Sequence, residues 1–410
     1  MAAEAGDGPI AAPTFTIDLD LPPEERYKAL AMEYKDRIRS LSTLFDSLLA
    51  DMGLPSSYHG SVNRLARLLL RRLNSPVETA ELRGIAEVVD IPMYLLVAFN
   101  TILDLLMGCT SGAIKTLEPG QPRSEAKMLH FRTLDWTMDP LRSVIVQLDF
   151  IRSKSASPSQ VLASSVSYVG FVGVLTGVRP HLSVSLNFRA VHNADDKRGH
   201  FRFYFHHLLV LFGYRRSISS ILRSYIVPEL NTGGRVKSLV EITDALAPLH
   251  TTAAYLILCD GNSAIVIEKD YETGLIRHSD TFIAATNHDE LPHRPESVLA
   301  TPAAKAATDS RSPRAIGLQE LLEESRERLD SISAKWRSRV RKTKRQSKRK
   351  GDLDSAEAES LTSITQSEVV EWLSTYPTTN EQTHYASILD PKTGQVTWTG
   401  VYLTPLSTEQ

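Results

Sequence analysis

The sequence predicts an α+β protein in which two sheets are faced by helices. Three observations carry that expectation. Apolar side chains recur at helical intervals through the first hundred residues, the texture turns strand-like after Cys109, and helical stretches separate those strands from a last strand pair near the carboxyl end. With 410 residues, 42% of them hydrophobic, the chain can bury a large core as one domain or two.

Taken in order, residues 1–14 are expected to be disordered. Phe15-Thr16-Ile17-Asp18-Leu19-Asp20-Leu21 alternates apolar and polar residues, the pattern of a short strand. Pro22-Pro23-Glu24-Glu25 then opens a helix with residues suited to a first turn. Tyr27, Leu30, Tyr34, Ile38, Leu41, Phe45 and Leu48 give that region a one-sided apolar stripe. More helices are predicted over 62–73, 78–89 and 92–107. The last carries Asn100 and Asp104 and is too short and interrupted for a membrane span. Residues 15–108 thus form a helical segment, and 109–410 hold the strands.

Strands are predicted over 141–151, 160–174 and 182–188, and helices over 201–224 and 239–249. Segments 253–258 and 264–268, split by Asp260-Gly261-Asn262, form a hairpin. A short strand at 281–286 runs into Asn287-His288-Asp289, helix returns at 317–329, and strands close the chain at 384–389 and 395–403. No internal repeat is present.

The net charge of −2 and a pI near 6.6 exert no global pull toward nucleic acid or anionic membrane. Only two cysteines occur, Cys109 and Cys259, so no disulfide framework is called for. The opening Met-Ala-Ala-Glu-Ala-Gly-Asp lacks the pattern of a secretory signal, and no asparagine lies in an Asn-x-Ser/Thr acceptor. These features favour a cytoplasmic, reducing location, with a lysosomal or vacuolar route as the alternative. No cofactor and no metal is expected. Residues 335–350 are dominated by Lys and Arg, and Asp352, Asp354, Glu357 and Glu359 follow. A solvated helix extension and a disordered insert over about 335–365 is expected there. The sharper alternative is a nuclear-localisation or polyanion-binding patch. Trp336 is the one aromatic among those charges, so no stacking platform and no nucleic-acid partner are expected.

The chemistry centres on Cys109. An apolar run at 94–107 leads into Gly108-Cys109-Thr110-Ser111, and a strand-like segment then carries Arg132 and Asp135. Cys109 reads as a nucleophile that becomes an amino terminus when the Gly108–Cys109 bond breaks, with Arg132 and Asp135 beside its thiol. Gly108 removes side-chain bulk at the bond to be broken. The plainer alternatives are a buried core cysteine and a surface ion pair. Strict alternation puts Arg132 and Asp135 on opposite faces, so a twist or bulge is expected to turn both toward one site.

A run of ordered segments resembles the acid ceramidase and N-acylethanolamine acid amidase family, among the N-terminal-nucleophile hydrolases. Residues 15–23 (FTIDLDLPP) are similar to its opening strand and turn, and 99–111 (FNTILDLLMGCTS) to the helix before its nucleophile. Arg132-Thr133-Leu134-Asp135 resembles its arginine–aspartate element, Gln147-Leu148-Asp149-Phe150 its next strand, and 168–180 (YVGFVGVLTGVRP) its glycine-punctuated turn. Thr286-Asn287-His288-Asp289 is similar to its Thr-Asn-Tyr-Asp, and 385–390 and 394–403 to its last segments.

The resemblance implies an αββα sandwich, synthesis as a precursor, and self-cleavage just before Cys109 into halves that stay together as a heterodimer. It implies Cys109 as nucleophile and its freed α-amino group as general base. Arg132 would favour the thiolate, Asp135 would orient the amine, and Asn287 would donate to the oxyanion. A further arginine belongs to an Asp-Asp-Arg-Arg element; here the stretch reads Asp309-Ser310-Arg311-Ser312-Pro313-Arg314, and Arg311 is favoured over Arg314. The expected substrate is a lipid amide, ceramide ahead of N-acylethanolamine, met in transient contact with a membrane surface. Conjugated bile acids, penicillins or another acyl amide form a second class, and an uncleaved lipid- or partner-binding relative a third. Three departures stand out. Phe188 replaces the glutamate of the family's Asn-Glu-Arg, which bears on how well the chain cuts itself. The cysteines that join the halves of secreted relatives are missing, and the basic insert has no counterpart.

Overall fold

The computed structural model describes residues 8–43, 56–102, 108–189, 192, 197–228, 237–290, 313–347 and 354–406. The chain opens with β1 (Thr14–Asp18), then passes through helices α1 (Lys28–Glu33), α2 (Lys35–Ser40), α3 (Ser56–Leu69), α4 (Pro76–Val89) and α5 (Met93–Ile102). Ser75 caps α4 by accepting the Glu78 N–H, Pro76 pre-sets its first turn, and Asp90 ends it in the left-handed conformation. Strands β2 (Gly108–Thr116), β3 (Lys127–Asp135), β4 (Ile145–Ile151), β5 (Ala163–Tyr168), β6 (Thr176–Arg179) and β7 (Leu182–Phe188) follow. Next come α6 (Lys197–Leu211), α7 (Ile218–Ile226) and α8 (Leu239–Leu246), then β8 (Ala254–Cys259), β9 (Ala264–Lys269), β10 (Gly274–Ser279) and β11 (Phe282–Ala285). Helices α9 (Pro313–Ser347), α10 (Ser355–Ser360) and α11 (Gln366–Leu373) lead to β12 (Thr383–Asp390) and β13 (Gln395–Val401).

Two sheets stack face to face. The larger runs β1-β4-β5-β6-β7-β8-β9-β10, with β1 parallel to β4 and every other pair antiparallel; the smaller runs β11-β2-β3-β12-β13. Side-chain alternation sorts each strand between layers. Ala113, Met128 and Ile283 of the small sheet meet Tyr255, Ile257 and Val266 of the large one. On its outer face the small sheet turns Ile114, Leu129, Phe131 and Ile388 to Leu329, Ile332 and Trp336 of α9 and Leu373 of α11. Leu82, Ile85 and Val97 of α4 and α5, with Leu222 of α7 and Leu246 of α8, cover the large sheet at Leu148, Leu186, Leu256 and Ile267. The expected αββα sandwich is therefore present.

Several expectations are corrected. Residues 1–14 are not disordered throughout: Ile10 exchanges main-chain hydrogen bonds with Val401, and β1 begins at Thr14. The amino-terminal segment is helical as expected after its opening strand, and that strand joins the edge of the large sheet beside β4. The basic stretch continues α9 as unbroken helix to Ser347. Trp336 anchors it in the outer core, Arg339 pairs with Glu368, and capping boxes at Asp354/Glu357 and Thr365/Glu368 start α10 and α11 beside it. Residues 348–353 of that expected insert lie outside the described residues. Strand β10 escaped prediction: Leu275 and Ile276 are both exposed, so no alternation marks it, and pairing with β9 makes it a strand.

Candidate active site

Cys109 is the second residue of β2, and its side chain points between the sheets, where it is fully buried. The antiparallel register sets Gly108 opposite Asp135, Cys109 opposite Leu134 and Ser111 opposite Arg132. Arg132 therefore shares the inter-sheet face with Cys109. Its Nη2 lies 3.2 Å from the sulfur, and its Nη1 is anchored 2.7 Å from the Leu175 carbonyl oxygen. Asp135 lies on the other face, toward α9. A Cβ on Gly108 would come 3.3 Å from that of Asp135, so the residue before Cys109 has little room for a side chain.

The expected twist that turns Arg132 and Asp135 to one side is thus not what the fold uses. A register shift does occur beside Asp135, but on β12, between Thr383 and Tyr385. Thr383 there donates its hydroxyl to Asp135 Oδ1 at 2.8 Å. The two charged residues flank Cys109 from opposite layers instead. This works because a backbone nitrogen lies in the plane of the sheet and can be reached from either side.

The Cys109 nitrogen is held by Asn287, two residues past the end of β11. Asn287 Oδ1 accepts the Cys109 main-chain N–H at 2.8 Å, and its Nδ2 donates to the Phe188 carbonyl at 2.8 Å. Arg328 of α9 donates Nη2 to the same Asn287 oxygen at 2.9 Å, and its Nε lies 3.6 Å from Asp135 Oδ2. Asp135 so acts on the nitrogen through Arg328 and Asn287. One turn earlier on α9, Ser325 Oγ accepts the Asn287 main-chain N–H at 2.7 Å. Asn187, which Ser111 bonds at 2.7 Å, donates to the Ala285 carbonyl and ties β7 to β11.

Arg311, the arginine favoured from sequence, lies outside the described residues, and of Arg314 only the helical backbone is described. The arginine that reaches the site is Arg328. A signal for it was available: Arg328 falls four residues before Ile332 and eight before Trp336, on the apolar stripe of a helix, where an arginine must find buried partners. Asn287 sits where expected, but its oxygen faces the nucleophile's nitrogen.

Burial pushes the Cys109 thiol above its ordinary range, while Arg132 first, then Arg328 and the Phe188 main-chain N–H, pull it down; Asp135 adds to the rise. Burial also pushes the Asp135 carboxyl up, opposed by Arg328 and then by the Thr383 hydroxyl. Two buried guanidiniums thus provide the positive charge that a thiolate needs. Among the described residues no group of His, Cys, Asp and Glu is arranged to hold a metal ion. The chemistry available is that of a cysteine with organised charge around both its sulfur and its nitrogen.

A two-sheet αββα sandwich with a buried cysteine at the start of an inner strand defines an N-terminal-nucleophile hydrolase fold. Residues 10–73 match a family model described as the beta subunit of N-acylethanolamine-hydrolyzing acid amidase. Among named relatives, the acid ceramidase of Mus musculus is 32% identical over 197 residues, 44% of this chain and 46% of that protein. The acid ceramidase of Pan troglodytes is 26% identical over 310 residues, 70% of this chain and 71% of that one. The match spans about half the length of the first relatives, including the acid ceramidase of Heterocephalus glaber at 46%. A solved structure, the Caenorhabditis elegans N-acylethanolamine-hydrolyzing acid amidase ortholog, aligns with a TM-score of 0.43 and 19% identity over 72% of this chain and 99% of that one. The chain is thus similar to acid ceramidases and to a family model named for N-acylethanolamine-hydrolyzing acid amidase, and these matches support that family.

Proposed function

We propose that this chain is an amidohydrolase of lipid N-acyl amides, with ceramide the foremost substrate, and that it acts through Cys109 after cutting itself at Gly108–Cys109. The observation that carries the reading is a single residue held at both ends: Arg132 at 3.2 Å from its sulfur and Asn287 at 2.8 Å from its nitrogen. A core cysteine needs neither. The relatives named acid ceramidase support ceramide; the family model named for N-acylethanolamine hydrolysis supports that head group as the second reading.

In the uncut chain the thiolate adds to the Gly108 carbonyl. The acyl group moves from nitrogen to sulfur, the nitrogen picks up a proton and leaves as an amine, and water hydrolyses the thioester to free the Gly108 carboxylate. Cys109 then carries nucleophile and base together, since an α-amino group titrating near ~8 can accept the thiol proton. On a lipid amide the sulfur adds to the carbonyl, and collapse expels the amine with the proton held by the α-amino group. Water, deprotonated by that same group, releases the fatty acid from the thioester. Asn287 Oδ1, steadied by Arg328 and Asp135, keeps the amine in place. The proposed oxyanion donors are a backbone N–H and the second Nδ2 hydrogen of Asn287, whose other hydrogen goes to the Phe188 carbonyl; removing such a donor costs on the order of a hundredfold in rate.

The halves are proposed to stay together after the cut without a disulfide. Strand β1 of the first half lies in the sheet of the second, and buried Glu81 takes both Arg223 Nη1 and Nη2 across the divide. A lipid substrate entails transient contact with a membrane surface, and a reducing, cytoplasmic location belongs to the same proposal.

Intact-mass spectrometry of the purified protein, with and without Cys109→Ala, tests the reading. Two fragments are expected from the natural chain, one beginning at Cys109, and a single full-length mass from the variant. A panel of ceramides and N-acylethanolamines then reads the substrate. Amidase activity retained by Cys109→Ala would overturn the mechanism.

A further inference from the structure

The basic half of α9 has no role in the chemistry above. Residues 335–347 contain no acidic side chain. Part of their charge is used inside the fold: Arg339 pairs with Glu368 at 2.9 Å, Lys335 Nζ donates to the Trp372 carbonyl at 3.2 Å, and Lys344 Nζ to Ser355 Oγ at 3.2 Å. Arg337, Arg341, Lys342 and Arg345 remain exposed to solvent. Where this face meets the turn before β3 and the segment after α10, it opens into a cleft of about 310 Å³.

Apart from Leu361, the described walls of that cleft are polar, and their charged side chains are all cations. Arg123 comes from the turn, Arg339, Lys342, Thr343 and Gln346 from α9, and Ser363 from the segment after α10. Among the described residues no carboxylate lines it. Two acids on neighbouring elements are engaged, Glu359 with Trp336 Nε1 and Glu368 with Arg339. With Arg339 held by Glu368, the cations Arg123 and Lys342 converge with two hydroxyls and an amide from three separate stretches of chain.

We infer that this cleft is a binding site for a phosphate monoester. Its dianion offers three acceptor oxygens and two negative charges, which matches a cavity rich in cationic and hydroxyl donors. A carboxylate would leave cations uncompensated. A nucleic-acid strand would want exposed aromatics to stack on, whereas Trp336 is buried in the outer core. The same headgroup chemistry can come from an anionic lipid in a bilayer or from a soluble phosphorylated molecule. None of these cleft residues takes part in the proposed amide hydrolysis.

The test uses the full chain and two probes: calorimetric titration with glycerol 3-phosphate, and flotation with phosphatidylcholine vesicles with or without phosphatidic acid. It compares the natural protein with Arg123→Ala/Lys342→Ala, inside the cleft, and Arg337→Ala/Arg345→Ala, which removes equal charge from the same surface outside it. At least one probe is expected to bind, weakened about tenfold or more by the first pair and less than about twofold by the second. Heat with glycerol 3-phosphate identifies a soluble ligand; flotation that requires phosphatidic acid, without that heat, identifies a bilayer headgroup. Equal weakening by both pairs would reduce the site to diffuse charge and overturn the inference. So would failure of both probes, or an oligonucleotide bound where both fail. Should the first pair lower the melting temperature, Lys342→Ala alone carries the same comparison.

Discussion

Arg328 Nη2 lies 2.9 Å from Asn287 Oδ1, the oxygen that also accepts the Cys109 main-chain N–H. The contact joins a helix on the outer face of the small sheet to a loop at its edge. Through it Asp135 acts on the nucleophile's nitrogen without touching it, while Arg132 serves the sulfur from the opposite face.

Removing Arg328 should therefore weaken the hold on the nucleophile's nitrogen. In Arg328→Ala, Asn287 loses a charged donor and Asp135 its counter-charge, so self-cleavage should slow by on the order of a hundredfold. Arg328→Lys keeps a charge beside Asp135 and should lose less, short of full rate because the planar fork is gone. Densitometry of the two fragments over time measures both.

Arg132 pulls the buried thiol toward ionisation. Replacing it with Met should move the acid limb of kcat/KM upward by about one to three pH units, since that is what one nearby opposite charge is worth. Arg132→Lys keeps the charge and should hold the limb near its place while losing rate through poorer geometry. A limb that stays put in Arg132→Met would show that the thiol is tuned elsewhere.

Glu81 accepts from Arg223 and from Arg26, with no exposed surface of its own. Glu81→Gln leaves Arg223 buried without its counter-charge, a loss of about 3–5 kcal/mol. The denaturation midpoint should fall accordingly. Gel filtration of the cleaved variant should show the halves separating under conditions where the natural protein elutes as one species.

Two buried histidines weaken the fold in acid. Burial, and then Arg132, pull His130 down to about 3, and burial and Arg142 pull His384 down to about 3. Both are neutral when folded, yet take up a proton near 6.5 when unfolded. Between about pH 6.5 and 3 the unfolded chain binds more protons, so stability falls as pH falls through that window. His130→Gln should flatten the slope by up to about 1.4 kcal/mol per pH unit. Urea midpoints taken across that range read it.

Local pattern made much of this readable. Strand β7 falls on the predicted residues, and the hairpin at Asp260-Gly261-Asn262 lies within a residue of its place at both arms. Periodicity also put Arg132 and Asp135 on opposite faces, and the added expectation of a bulge to reunite them was the mistake. The helix extension over the basic stretch was expected, but its anchoring to the fold could not be read from its charges, because the contacts that hold it come from Glu368, Trp372 and the sheet beneath.

By itself the sequence determined two sheets faced by helices, a cysteine where helical texture gives way to strands, and the arginine three positions before the aspartate; that Cys109 heads an inner strand it did not show. Those follow from repeats of two and of 3.6 residues, which neighbours along the chain define. Only the tertiary structure decided which arginine serves the nitrogen, and that Asn287 turns its oxygen rather than its NH2 toward Cys109. Those choices belong to buried polar atoms satisfied across sequence separations of 41 and 178 residues. Burial makes such pairings obligatory, yet leaves their partners unspecified until the layers close.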